Sequence, residues 1–106
     1  MPNDKLLSML GLARRAGKVS MGFDSAVGSA VKKESALILT AKDISPKSLK
    51  ELKYALEECQ VDIFEIPYDI DDLKSAVGKS VRIISVNDSG FAAQVKRLLN
   101  AGKGEE

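Results

Sequence analysis

The chain has 106 residues, 44% of them hydrophobic and 29% charged, with a formal net charge of +1. That length is one domain with a core large enough to need no disulfide or metal, and the near-neutral balance excludes a uniformly basic nucleic-acid binder. Cys59 is the single cysteine, which excludes an intramolecular disulfide, and the absence of histidine removes most general-base and zinc designs.

Asn3 or Asp4 is placed to cap a first helix, with Leu6, Leu7, Met9, Leu10, Ala13 and Ala16 on its apolar face and Gly17 as a left-handed stop. Lys18-Val19-Ser20 follows as a short extended piece. A second helix is expected from about Gly22 to Lys33, with Phe23, Ala26, Val27, Ala30 and Val31 inward. The continuous apolar run from Ala36 to Ala41 reads as a strand covered on both faces, which implies a layered fold. Ser45-Pro46 is a cap followed by proline at the first helical position. Leu49, Leu52, Leu56 and Cys59 share the inner face of that helix, and Lys47–Glu51 and Lys53–Glu57 are spaced as pairs on its outer side. Asp62 to Ile66 is a second core strand, stopped by Pro67. Asp71 is expected to cap a short helix through Val77, closed by Gly78. Val81 to Val86 is a third core strand. Asp88 caps a last helix with Phe91, Ala92, Val95, Leu98 and Leu99 inward. Residues 1–100 are read as one domain and 101–106 as a flexible tail. Helices alternating with strands predict an α/β fold, a three-layer α/β/α sandwich around a small sheet.

The chemistry is sparse. Gly11 to Val19 approaches a phosphate-binding loop but has five residues between its glycines where four are needed, and it ends in Val19 where Ser or Thr holds magnesium. Asp69, Asp71 and Asp72 lack the spacing of a calcium loop and read as a helix-capping loop. No cofactor and no enzymatic activity are expected. No basic segment leads into a long apolar run, and no apolar run is long enough to span a bilayer, so a cytoplasmic protein without a membrane partner is expected. The charges are segregated: residues 1–50 carry nine Lys and Arg against four acids.

Gly22-Phe23-Asp24-Ser25, the strand Leu37 to Ala41, the loop Lys42-Asp43-Ile44-Ser45-Pro46 and the segment Leu73 to Gly78 resemble the kink-turn RNA-binding ribosomal proteins of the L-seven-Ae / L-thirty-e type. The stretches Leu10 to Val19 and Asn87 to Ala92 resemble its short bacterial members. The resemblance runs from about Leu6 to Leu99. It implies a mixed four-stranded sheet and a cytoplasmic, ribosome-associated or kink-turn-binding protein; nothing in the sequence demands more than a monomer. The implied partner is structured RNA, ribosomal or kink-turn-like. The implied site lies at the start of the second helix, in the loop after the first core strand and in the loop before the last strand. The residues expected to contact RNA are Lys18, Gly22, Asp24, Ser25, Lys32, Lys42, Lys79 and Arg82. Lys18, Lys42 and Lys79 bring one lysine each from three loops to the phosphates, and Asp24 and Ser25 reach base edges. The family pattern Gly-x-Asn-Glu-x-x-Lys reads here Gly22-Phe23-Asp24-Ser25-Ala26-Val27-Gly28, which exchanges a donor-bearing amide for a carboxylate and removes a lysine. A protein-interaction module on the same fold is the alternative. Asp24 also suits a helix start, and Lys32 with Lys33 a helix end, without any ligand.

Overall fold

The computed structural model describes residues 5–104; Asn3 and Asp4, expected to cap the first helix, lie outside the described residues, as do Glu105 and Glu106. The first helix, α1, is Lys5–Arg15. It ends because Gly17 takes φ 74°, which lets the Gly17 and Lys18 amides donate to the carbonyls of Arg14 and Ala13 at 3.0 and 2.8 Å. Ala16 falls beyond this end and is exposed, not on the buried face. The short β1 strand (Val19–Met21) leads through Gly22 into α2 (Phe23–Val31). At its far end Lys33 adopts φ 64°, and the Glu34 amide donates to the Ser29 carbonyl at 2.8 Å.

The β2 strand (Leu37–Thr40) is buried at every position. Ser45 then accepts the Ser48 amide at 3.1 Å and Pro46 opens α3 (Pro46–Ala55). After β3 (Ile63–Glu65) comes α4 (Ile70–Val77). Its cap is Asp69, not Asp71. Asp69 is the last extended residue, its carboxylate accepts the Asp72 amide at 2.9 Å, and the Asp72 carboxylate accepts the Asp69 amide at 3.2 Å. Asp71 lies inside the first turn, where its charge suits the helix dipole but its side chain makes no cap. Gly78, at φ 78°, closes α4. The last elements are β4 (Ile83–Val86) and α5 (Ser89–Gly104), which Asp88 caps through the Phe91 amide at 2.9 Å.

The four strands form one mixed sheet in the order β1-β4-β2-β3. β4 runs antiparallel to both β1 and β2, while β2 and β3 are parallel. Alternation along β2 and β4 divides the interior into two cores. Leu37, Leu39, Ala41, Ile84 and Val86 pack against Leu6 and Leu10 of α1, Leu73 and Val77 of α4, and Ala92 and Val95 of α5. Ile38 and Ile83 face Ala26 and Ala30 of α2, Leu52 of α3 and Leu56 just past its end. This is the three-layer α/β/α sandwich with a mixed four-stranded sheet.

Register gives the sheet two unlike ends. Met21, Thr40, Glu65 and Ile83 stand together at one end, and Val19, Leu37 and Val86 at the other. The second end is tied by a polar network. Asn87 donates to the hydroxyls of Ser20 at 2.8 Å and Ser29 at 3.3 Å, and Ser20 and Ser29 sit 2.6 Å apart. The fully buried Ser85 donates to Asn87 Oδ1 at 2.6 Å and shares a 2.7 Å hydroxyl contact with Ser35. These bonds satisfy polar groups that the sheet takes out of water.

Candidate functional site

The carboxyl ends of β1, β2 and β3 meet the start of β4 at the first end of the sheet, so four connections gather there: Gly22, residues 41–45, residues 66–69 and residues 78–82. Backbone hydrogen bonds lock these connections together. The Gly22 amide donates to the Ile83 carbonyl at 2.8 Å, Ala41 to Arg82 at 2.9 Å and Lys42 to Tyr68 at 2.9 Å. Between them lies an open cleft of about 350 Å³, lined by Gly22, Phe23, Asp43, Ser45, Ile70 and Arg82 among others.

Three helices begin at this cleft. Each of α2, α3 and α4 follows a strand whose carboxyl end points here, so each directs the positive end of its dipole at the same opening. Ser45 and Asp69 cap α3 and α4. Gly22 gives α2 no side-chain cap, so the amides of Phe23, Asp24 and Ser25 in its first turn keep no intrahelical partner. That is an arrangement suited to an oxyanion. The Asp24 and Ser25 side chains are exposed in the same turn.

The charges around the opening are mixed. Arg82 Nε lies 3.2 Å from Asp43 Oδ2, with both side chains partly exposed. Asp43 also accepts the Ile70 amide at 3.4 Å, so one carboxylate bridges the β2–α3 loop, the start of α4 and the start of β4. Lys42 and Lys79 flank this pair in sequence and are exposed. The Asp69 carboxyl is held below the ordinary aspartate range, chiefly by the Asp72 amide, with the nearby Lys42 charge adding to the effect and desolvation opposing it.

The expected site residues divide by sheet end. Gly22 and Arg82 line the cleft, and Asp24, Ser25, Lys42 and Lys79 sit on the connections or first turn that form it. Lys18 does not join them. It precedes Val19, which pairs with the last residue of β4, and its carbonyl accepts the Asn87 amide at 2.7 Å. Three strand residues, about 10 Å, separate it from Gly22. Lys32 is the C-cap of α2, about 14 Å from that helix's first residue at 1.5 Å per residue. Of the three loop lysines, Lys42 and Lys79 lie on connections at the cleft end of the sheet, whereas Lys18 lies at the other end. Sequence reasoning missed the share of α3 and α4, whose first turns bring Ser45, Ser48 and Ile70 to the wall. The repeated order of strand, short loop and helix carried that information, because every helix that follows a strand starts at that strand's carboxyl end.

The fold is a mixed four-stranded sheet between two helical layers, with an open cleft at the uncapped start of α2. The chain matches the Ribosomal protein L7Ae/L30e/S12e/Gadd45 family over residues 4–95, and it belongs to that family. The RNA-binding protein YlxQ of Enterococcus faecium is 26% identical over 95 residues, spanning 90% of this chain and 91% of that protein. The RNA-binding protein YlxQ of Bacillus subtilis (strain 168) is 28% identical over 97 residues, spanning 87% and 92%. Among solved structures, a protein of unknown function from Bacillus halodurans C is 27% identical, with a TM-score of 0.81 over 92% of this chain and 99% of that one. A Giardia lamblia 15.5kD RNA binding protein shares the fold at 17% identity, with a TM-score of 0.72 over 95% and 92% of the two chains.

Proposed function

We propose that this chain is a non-catalytic RNA-binding protein that holds structured RNA, ribosomal or kink-turn-like, at the cleft end of its sheet. The observation that carries this reading is the first turn of α2. It presents uncapped amides at an opening that two further helix N-termini face, with Lys42, Lys79 and Arg82 on the surrounding connections. Backbone phosphates suit those amides and cations, and such contacts position an RNA without reading its sequence. Family membership and the names of the two bacterial relatives support the same partner. Asp24 and Ser25 stand beside the amides, where a carboxylate accepts from base N–H groups and a hydroxyl both donates and accepts. Shape supplies most of the selectivity, as it does for folded RNA. The protein acts in the cytoplasm; no helix among the described residues is long and apolar enough to cross a membrane.

The second reading is a protein-interaction module that has lost kink-turn recognition. Its support is the placement of Asp24, Ser25 and Gly28 along α2 where the family pattern carries Asn, Glu and Lys. A carboxylate in that turn repels phosphate.

Affinity for a kink-turn stem and for a plain duplex of equal length, each at two salt concentrations, separates the two readings. RNA recognition predicts tighter binding to the kink-turn and a steep loss with salt, and Arg82→Ala and Lys42→Ala each lower the salt slope by about 0.7–0.9. Weak binding to both RNAs, equal and insensitive to these substitutions, contradicts kink-turn recognition and turns the test to ribosomal RNA fragments and to protein partners.

A further inference from the structure

The outer face of α3 carries an exposed aromatic ring that neither the fold nor the cleft explains. Tyr54 is 78% exposed, more than Val31 at 64% or Leu12 at 48%. The inner face of α3 is satisfied without it, through Leu52 and the neighbouring Leu56. Tyr54 shares its face with Lys50 four residues earlier and Lys47 seven residues earlier. These lysines lie on the side of Tyr54 nearer the cleft, because α3 begins at Ser45 on the cleft wall and runs away from it. Glu57 and Glu58 follow on the other side, beyond the end of the helix. The ridge therefore reads, outward from the cleft, two cations with Glu51 beside them, a bare aromatic ring and two acids. Lys47 lies about 10 Å from Tyr54 along the axis at 1.5 Å per residue. Among the described residues neither Lys47 nor Lys50 forms an ion pair, although Glu51 stands one turn from Lys47.

We infer that this ridge is a second RNA contact, on which a single-stranded segment leaving the cleft runs along Lys47 and Lys50 and stacks one base on Tyr54. The inference rests on the RNA-binding reading of the cleft. Lysines that follow a phosphate backbone toward an exposed ring make a sequence-tolerant platform for unpaired nucleotides, because every base has a π-face. The acids beyond Tyr54 mark where such a path ends, since phosphate is repelled there. Charge complementarity thus favours a single strand that arrives from the cleft over one that crosses the helix.

The chain has no tryptophan and only one other tyrosine, Tyr68, which is buried. Intrinsic tyrosine fluorescence is therefore the sum of Tyr54 and Tyr68, and subtracting the Tyr54→Phe signal, which is Tyr68 alone, gives the part due to Tyr54. Wild type, Tyr54→Ala and Tyr54→Phe are titrated with two RNAs that share one kink-turn stem, one blunt and one carrying a single-stranded extension of several nucleotides. The extension is expected to tighten wild-type binding by about fivefold or more, to do the same for Tyr54→Phe and to do nothing for Tyr54→Ala. Wild-type fluorescence is expected to fall with the extended RNA and to hold with the blunt one. If wild type binds both RNAs equally and its fluorescence does not change, the ridge is no RNA contact, while the cleft reading stands. If Tyr54→Ala weakens both RNAs alike, the ring does not serve the extension and the inference is overturned. If wild type binds neither RNA, the cleft and the ridge fall together.

Discussion

At Gly22 the backbone takes φ 95° and ψ 166°, a conformation reserved almost entirely for glycine, yet no atom lies within 4 Å of where a Cβ would stand. The residue is therefore required by the turn from β1 into α2, not by crowding within the protein. Gly22→Ala should destabilise the fold by about 1–3 kcal/mol in urea unfolding, although the space is open. Lys33 presents the reverse case. It holds φ 64° with a side chain that disfavours it, so Lys33→Gly should raise stability by about 1 kcal/mol, read from the same unfolding curves. Asp43 acts at the site itself. It neutralises Arg82 across the cleft, and its other contact, to the Ile70 amide, needs only an acceptor oxygen. Asp43→Asn keeps that acceptor and frees the arginine. It should tighten RNA binding at low salt by up to about fivefold, since an exposed pair of this kind is worth about 0.2–1 kcal/mol. A loss of affinity would mean that Asp43 instead holds Arg82 in its binding pose.

Among the elements, α4 depends most openly on charge. Its capping box sets Asp69 and Asp72 each against the other's amide, and the Asp69 carboxyl is held below its ordinary range by the Asp72 amide first. A carboxyl whose folded pKa lies below its unfolded value adds stability that is complete above the unfolded value and is lost as pH falls through the folded one. Urea midpoints should therefore decline between about pH 5 and pH 2, with a smaller decline in Asp69→Asn, which cannot titrate there. The same helix shows where the sequence was readable and where it was not. Gly78 marked its end through glycine's tolerance of a left-handed turn, and Ser45-Pro46 marked the start of α3 just as plainly. At the start of α4 three aspartates compete within four residues. Asp71 suits the dipole, but the reciprocal spacing belongs to Asp69 and Asp72, a box built with the shorter Asp in place of Glu.

Across the whole molecule, hydrophobic periodicity identified the layers, because it reports which face of each helix or strand is covered. It does not report which end of the sheet a residue occupies. That depends on strand order and direction, and β1 pairs antiparallel with β4, not with its neighbour in sequence. The sequence alone groups Lys18 and Lys32 with Lys42 and Arg82, whereas the register of β1 sets Lys18 at the far end of the sheet and the length of α2 carries Lys32 away from the cleft. The polar network around Ser85 and Asn87, unmarked by any motif, braces the end away from the cleft. The proposed meeting place of RNA and protein is the cleft end, through the first turn of α2. The most direct test is a titration of the isotope-labelled protein with a kink-turn stem, followed by backbone amide NMR shifts. The largest shifts are expected at Phe23, Asp24, Ser25 and Arg82, with Val19, Ser29 and Lys33 nearly still. Shifts concentrated at Lys18, Lys32 and Asn87, or none at all, would contradict it.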